Sequence, residues 1–341
     1  MTKYDIVTIG DSSEDIFIGL KDLKSERSFQ FASGKSISFE LGEKIPINDV
    51  QYEIGGSACN TAVGFSRLNY RAAAISAIGQ DSPGEKILTR LSTESVDTEM
   101  IVNSKTGSHF SLIFNIGEER TIFIHRTLDD YSILLPKKSL KTKWIYLAPI
   151  GQKSDEVFDR VVELAAEKNV KIAWNPGSLQ INKGASRYKS LLANITILLL
   201  NKEEAQKFLM MPVKNNIIDM ARQLQQHGPK IVVITSGREG AYVCDGVKGY
   251  KIDALNQKRV DATGAGDSFA VGFVGRMMEK KEYKEGKEDQ DDGEDIKEAL
   301  KWGIINSTSV VNQIGAQAGL LSKNQIEEEL KNRPRLFVEI N

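Results

Sequence analysis

Two cysteines, three histidines and a net charge of −1 are all that these 341 residues offer to several common kinds of chemistry. Cys59 and Cys244 allow one disulfide at most, and two thiols in a chain of this size read as reduced residues of a cytoplasmic protein. His109, His125 and His227 show no metal-ligand spacing, so a histidine-built metal centre is not expected. Lysine and arginine number 45 against 46 aspartates and glutamates, which leaves no basic surplus for nucleic acid or an anionic membrane. The longest apolar run, ITILLL (195–200), is far too short to cross a bilayer. The opening MTKYDIVTIGD carries acidic residues and no long apolar core, so no secretory signal peptide is expected.

What is present is an ordinary globular composition, 40% hydrophobic and 27% charged. Short apolar runs recur at 4–9, 72–78, 144–148, 170–174, 195–200 and 230–235, each reading as a strand buried on both faces. Amphipathic stretches lie between several of them, such as DEVFDRVVELAAEK (155–168) and NIIDMARQLQQHG (216–228), the latter ending in a glycine stop. This alternation predicts an α/β fold, a doubly wound, mostly parallel sheet flanked by helices in one domain over 1–341. Residues 12–53 and 104–126 depart from it. SISFELGEKIPI (36–47) and HFSLIFNIGEERTIFIH (109–125) alternate apolar and polar residues, with a hairpin at NIGEER. They predict a small antiparallel β lid, or, failing that, extra edge strands of the main sheet. The charged run 279–295 reads as a solvated loop between two helices.

Two familiar nucleotide signatures are absent. SGKS (33–36) would need the first glycine of a P-loop at Phe29, with a buried strand before it, and has neither. The first strand runs into GDSSED without G-x-G-x-x-G, which excludes a dinucleotide-binding site there. Ligands of parallel sheets gather beyond the carboxyl ends of the strands. Those ends carry Gly10-Asp11, Gly79-Gln80-Asp81, Asn175-Pro176, Asn201 and Thr235-Ser236-Gly237.

The sharpest signal is DATGAGDSF (261–269), two glycines and a carboxylate opening an apolar helix. A helix start offers free N–H groups and partial positive charge to a phosphate, and Gly264 and Gly266 carry no Cβ to obstruct its approach. Asp267 would sit in the first turn, placed to take the proton of an attacking hydroxyl. The same dipole favours the carboxylate anion, so Asp267 is expected to be a weak base that accepts its proton late.

DATGAGDSFAVGFV (261–274) resembles the C-terminal signature, D-T-x-G-A-G-D, of the ribokinase-like (PfkB) carbohydrate kinases. GGSACNTAVGFSRLN (55–69) resembles their N-terminal one. IGDSSED (9–15), AIGQDSPGEKIL (77–88), NKEE (201–204), TSGREGA (235–241) and GAQAG (315–319) extend the resemblance over nearly the whole chain. It implies an ATP-dependent kinase acting on a primary sugar hydroxyl. Asp267 would be the general base, and the backbone of Gly264, Ala265 and Gly266 the anion hole. It implies further that Asn201 and Glu204 organise Mg²⁺ and its waters near the triphosphate, and that Thr235, Gly237 and Gly240 lie close to the nucleotide phosphates. Asp261 and the segment 315–317 match the place where many relatives hold a monovalent cation such as K⁺. By itself, NKEE is also a plain helix start capped by asparagine.

On the acceptor side the resemblance places Asp15 and Asn60 against substrate hydroxyls, with Gly55 and Gly56 flanking the opening of the next helix. Asp11 follows the first strand as a further hydroxyl partner or a turn residue, and Arg126 would reach a polar or acidic substrate from the lid. Ala262 stands where the family usually has threonine, which removes one hydroxyl beside the anion hole. The acceptor itself stays open. A nucleoside kinase with Phe110 and Phe123 against the base is the alternative within the fold. A catalytically silent sugar or nucleotide sensor is the alternative outside it, disfavoured by the retained Asp267 and glycines. An exposed lid edge offers a surface through which two subunits can pair.

Overall fold

The apolar runs become strands because their alternate residues have somewhere to go on both sides. The computed structural model describes residues 3–20, 26–27, 35–116, 119–128, 130–137, 139–211, 216–257, 259–279, 292–333 and 336–340. Phe29 and Gly34 of the P-loop comparison and residues 280–291 of the charged run lie outside them. In chain order the elements begin with β1 (Tyr4–Ile9), β2 (Ser13–Gly19), β3 (Glu26–Arg27), β4 (Lys35–Ser36), β5 (Asp49–Gly55), α1 (Ser57–Arg67), β6 (Ala72–Ile75) and β7 (Ala77–Gly79). There follow α2 (Ser82–Thr93), β8 (Val102–Ser104), β9 (His109–Ile116), β10 (Glu119–His125), β11 (Thr142–Leu147), α3 (Asp155–Lys168) and β12 (Lys171–Trp174). The next are α4 (Ser178–Lys183), α5 (Lys189–Leu192), β13 (Ile197–Asn201), α6 (Lys202–Phe208), α7 (Ile217–Gln226), β14 (Ile231–Thr235), β15 (Ala241–Cys244) and β16 (Gly249–Ile252). The chain closes with α8 (Ala265–Met278), α9 (Asp292–Val310), α10 (Lys323–Asn332) and β17 (Glu339–Ile340).

The main sheet runs β17-β16-β15-β14-β13-β12-β11-β1-β6. From β6 to β14 every pairing is parallel, and from β14 to β17 antiparallel. Strand residues split by parity between its two faces. Val7, Ile145, Leu147, Leu198, Leu200, Val232 and Ile234 join one core with α3 and α7. Ile6, Trp144, Tyr146, Ile197, Leu199 and Val233 join the other with α1, α8 and α9. The expected strand 72–78 breaks at Ser76: β6 pairs with β1, while β7 leaves the sheet to pair with β8.

The lid is a separate sheet in the order β10-β9-β2-β5, so edge strands of the main sheet are not its arrangement. Its outer pairings are antiparallel, whereas β2 and β9 at its centre run parallel. SISFELGEKIPI departs from expectation: beyond Ser36 it forms no strand until β5 begins at Asp49. Alternation there finds no partner strand, and Leu41 is 99% exposed. No helix among the described residues is long and apolar enough to cross a membrane.

Helix α8 is buried almost all round, wedged between α1, α9 and the sheet. Its mid-helix glycine is steric: a Cβ on Gly272 would lie 2.5 Å from the carbonyl oxygen of Trp302 on α9. Gly272→Ala is expected to separate the two helices and destabilise the fold by about 1–3 kcal/mol, read as a Tm lowered by a few degrees. An unchanged Tm would mean that the helices do not depend on this approach.

Candidate active site

The carboxyl edge of the parallel sheet collects the polar residues. Asp11 follows β1, and Asn201 and Thr235 end adjacent strands in register with each other. Against this edge stands the start of α8. Gly264 caps it at φ 76°, a left-handed conformation, and a Cβ there would lie 2.5 Å from that of Ala316. Gly266 is exposed and its missing Cβ faces open space. No side chain caps the helix; the Ala265 N–H meets the Ala262 carbonyl at 3.3 Å, which leaves the N–H groups of Gly264 and Gly266 as the donors best placed for an anion.

Asp267, one residue on, is buried, and Asn60 Nδ2 donates to its Oδ2 at 2.8 Å. Burial raises its carboxyl above the ordinary value, while hydrogen bonding from Asn60 and Ser57 pulls it back. Burial and the helix dipole thus act on Asp267 in opposite directions, burial favouring the stronger base. Asn60 is also committed on its other side, where its Oδ1 accepts from Gln317 Nε2 at 3.0 Å.

Asp15, on β2, is buried beside it. Ser13 Oγ donates to its Oδ1 at 3.0 Å, and burial pushes its carboxyl up to about 6 against hydrogen bonds from Ser111 and Ser13, with the charges of Asp267 and Asp261 adding to the rise. Gly55 is glycine because that carboxylate lies over it; a Cβ would be 2.0 Å from Asp15 Oδ2. Gly56 caps α1 at φ 85°, pressed against the Asp11 carbonyl.

Asp11, expected as a hydroxyl partner or a turn residue, already accepts one hydrogen bond on each oxygen, which leaves further lone pairs on both. Arg126 Nε donates to Oδ2 at 2.9 Å and Tyr131 Oη to Oδ1 at 2.7 Å. His109 completes the cluster. Its Nδ1 accepts the Thr127 N–H at 2.9 Å, its Nε2 faces Tyr131 Oη at 3.3 Å, and burial pushes its pKa down, so the ring is neutral with hydrogen on Nε2. The Arg126 guanidinium is partly exposed and keeps N–H groups directed elsewhere than Asp11.

Asn201 and Glu204 form a capping box: Asn201 Oδ1 accepts from Glu204 N at 2.8 Å, and Glu204 Oε2 from Asn201 N at 2.9 Å. The plain helix-start reading is thus realised. Burial nevertheless raises the Glu204 carboxyl, with Glu203 and Asp267 adding to the rise. A partly buried carboxylate at this edge, with one oxygen taken by the Asn201 N–H, fits a divalent cation that also keeps waters and phosphate ligands. No cluster of three or more ligating side chains exists among the described residues, and Mg²⁺ needs none.

Asp261 braces the turn. Its Oδ1 accepts from Thr263 N at 2.9 Å and Thr263 Oγ1 at 2.8 Å, and its Oδ2 from Gly315 N at 3.1 Å. A monovalent cation on this carboxylate would compete with three donors. Thr263 supplies a hydroxyl one position after the one Ala262 lacks. In the turn after β14, Gly237 faces open space, whereas Gly240 is structural: a Cβ would fall 1.9 Å from the Ile252 carbonyl oxygen. That crowding explains the glycine and leaves its expected place near the phosphates a matter for its backbone. Sequence reasoning missed Tyr131, Gln317 as a partner of Asn60, and Thr263. Only Thr263, two residues after an aspartate, carried a local signal.

The comparisons with known proteins agree with this geometry. The family model for pfkB family carbohydrate kinases matches residues 30–323. Ribokinase of Haemophilus influenzae is 27% identical over 306 residues, covering 85% of this chain and 92% of its own. The fold matches ribokinase of Arabidopsis thaliana solved with ribose and ATP (TM-score 0.75, 19% identity, 97% of this chain and 99% of that one). It also matches the nucleoside kinase of Burkholderia thailandensis solved with inosine (TM-score 0.75, 14% identity, 96% and 98%). The chain belongs to the pfkB family of carbohydrate kinases and is an ATP-dependent phosphotransferase.

Proposed function

We propose that this kinase transfers the γ-phosphoryl group of ATP to a primary hydroxyl of a sugar, in the cytoplasm, where Cys59 and Cys244 stay as the free, buried thiols they are. The observation that carries the reading is a buried carboxylate, Asp267, directly beside an uncapped helix start whose Gly266 opens on free space. The acceptor hydroxyl gives its proton to Asp267 as its oxygen bonds to the γ-phosphorus. The bond to the bridging oxygen breaks, and ADP leaves with that electron pair. The N–H groups of Gly264 and Gly266 stabilise charge on the equatorial oxygens. Asn201 and Glu204 would hold Mg²⁺ through waters, and the ion supplies charge neutralisation to the triphosphate. Thr235 and Gly237 line the nucleotide side.

Asp15 is the group that waits for the acceptor. Its buried carboxyl offers paired oxygens to vicinal hydroxyls, whose O–H donors would relieve the desolvation that raises it. Arg126 adds donors at the lid side and suits a polar or acidic acceptor. A nucleoside reading has less support, since the Phe110 ring lies 4.9 Å from that of His125 and the Phe123 ring 5.4 Å from that of Phe114. Both rings already have partners within the lid.

Asp267→Asn is expected to lower kcat by roughly 100-fold or more, the usual weight of a general base. The assay is ADP release across ribose, fructose, 2-keto-3-deoxygluconate, adenosine and inosine. Near-normal turnover would remove the assignment, and binding of these compounds without any ADP release would favour a sensor. Asp15 generates a second expectation. A folded pKa of about 6 against an ordinary 3.8 means that the folded chain holds this proton after the unfolded chain has lost it. The group therefore favours folding below about pH 4 and opposes it as pH rises through 6, on the order of 2–3 kcal/mol. Asp15→Asn should raise Tm at pH 7.5 yet show little gain at pH 4.5, while weakening acceptor binding. A gain independent of pH would refute the buried charge.

The lid edge extends the proposal to assembly. Ile122, Phe123 and Ile124 are exposed in succession on β10, the edge strand of the lid. Two copies pairing there would sediment as a dimer, and Phe123→Lys would return them to monomers. A monomer at high concentration would end this reading.

A further inference from the structure

Asn60 lies between Asp267 and Gln317, and its two ends differ in what they can do. A carboxylate only accepts, so the Asn60 end that meets Asp267 Oδ2 at 2.8 Å must be the NH₂. Its Oδ1 therefore faces Gln317, and the group meeting it at 3.0 Å must be the Gln317 NH₂. That order is dictated by chemistry at each link.

Gln317 is 3% exposed, and its Oε1 finds no partner among the described residues. A methionine of the same length would avoid that unmet acceptor, so the amide is retained for its donor rather than for packing. The donor is also held firmly. The Gln317 carbonyl oxygen accepts from Arg67 Nη1 at 3.0 Å, Arg67 is gripped by Glu94 at 2.6 and 2.8 Å, and Gly315 N binds Asp261. Arg67 and Asn60 both belong to α1, so a single helix fixes both ends of the link.

We propose that Gln317 is a positioning residue that locks the Asn60 carboxamide with its N–H toward Asp267, keeping the catalytic carboxyl charged and able to accept a proton. The inference rests on Asp267 acting as the base. Without Gln317 the carboxamide can turn over and present Oδ1, which stabilises the protonated acid instead. The other groups close enough to act on Asp267 are Asp15 on β2, Glu204 on α6 and Tyr146 on β11, and none of them supplies positive charge. Ser57, also on α1, is the remaining donor.

The test reads the carboxyl directly, without an acceptor substrate. In the full chain labelled with ¹³C-aspartate, the Asp267 Cγ resonance is assigned by its loss in Asp267→Asn and titrated against pH. Gln317→Met removes the donor and keeps the length. Its midpoint is expected to rise by about one pH unit, the scale of a lost hydrogen bond to a charged group, with Tm unchanged or raised. Gln317→Glu should move it the same way, because its carboxylate takes the Asn60 N–H and turns Oδ1 to Asp267. Asn60→Leu should shift it too, and Asn60→Leu combined with Gln317→Met should shift it no further. An unmoved midpoint in Gln317→Met, or additive shifts in the double variant, overturns the proposal. Full turnover in Asp267→Asn beside a shifted midpoint in Gln317→Met would remove the base and leave the hydrogen-bond relay standing.

Discussion

An ionisable carboxyl kept out of water beside an open anion site is the constraint on which the rest of this molecule depends. In the function proposed above, Asp267 has to be buried enough to act as a base, and the helix start one residue before it open enough to admit a phosphoryl group. Both are met by placing α8 deep against the sheet and ending the burial at Gly266. Every neighbour of the helix serves that placement. Asn306, fully buried on α9, donates to the Ser268 carbonyl at 2.7 Å and accepts from Leu321 N at 3.0 Å, tying α8 to the segment before α10. Gly272 thins α8 where α9 crosses it and Gly275 where Leu68 packs, so the glycines of the sequence motif and those of the helix body do different work.

Magnitudes explain why burial prevails over the dipole at Asp267. A helix terminus favours a nearby charge by about 0.3–1 kcal/mol, and up to ~2 in partly buried settings. Withdrawing a carboxylate from water costs several kcal/mol even after relaxation. The first turn thus sets where Asp267 stands, and loss of solvent sets how readily it takes a proton. Asp15 and Glu204 share the edge and are raised for the same reason. The charge of Asp267 adds to the rise at both Asp15 and Glu204. Asp261, at the turn before α8, is instead surrounded by three protein donors.

Much of this was legible in the chain. Both-face burial of the strand runs follows from their unbroken apolar character, and parity along β1, β11, β13 and β14 divides the cores as a period of two requires. The sharp start of α8 was legible because paired glycines weaken a helix start unless the backbone there must bend sharply or admit a close neighbour. What escaped were relations between distant residues. Tyr131 meets Asp11 across 120 positions, and Gln317 meets Asn60 across 257. No local pattern encodes such a pairing. SISFELGEKIPI misled for the converse reason: alternation records which side of a ribbon is apolar, but a strand exists only if another lies beside it.

Asp11 shows how such a distant pairing changes a residue's meaning. A carboxylate just beyond a strand end suggests a ligand contact, yet here it joins the lid to the main sheet. Arg126 comes from just past β10, His109 from the start of β9 and Tyr131 from the segment leading back to β11, and all three converge on it. Because the His109 ring is neutral, the cluster carries one anion and one cation, and its charge is balanced without substrate. The lid is therefore pinned at its root by a buried, satisfied network, while β10 beyond it stays exposed. The Arg126 guanidinium is held there by its Nε at Asp11 and by a hydrogen bond with Tyr131, so the residue just past β10 belongs to the pin itself.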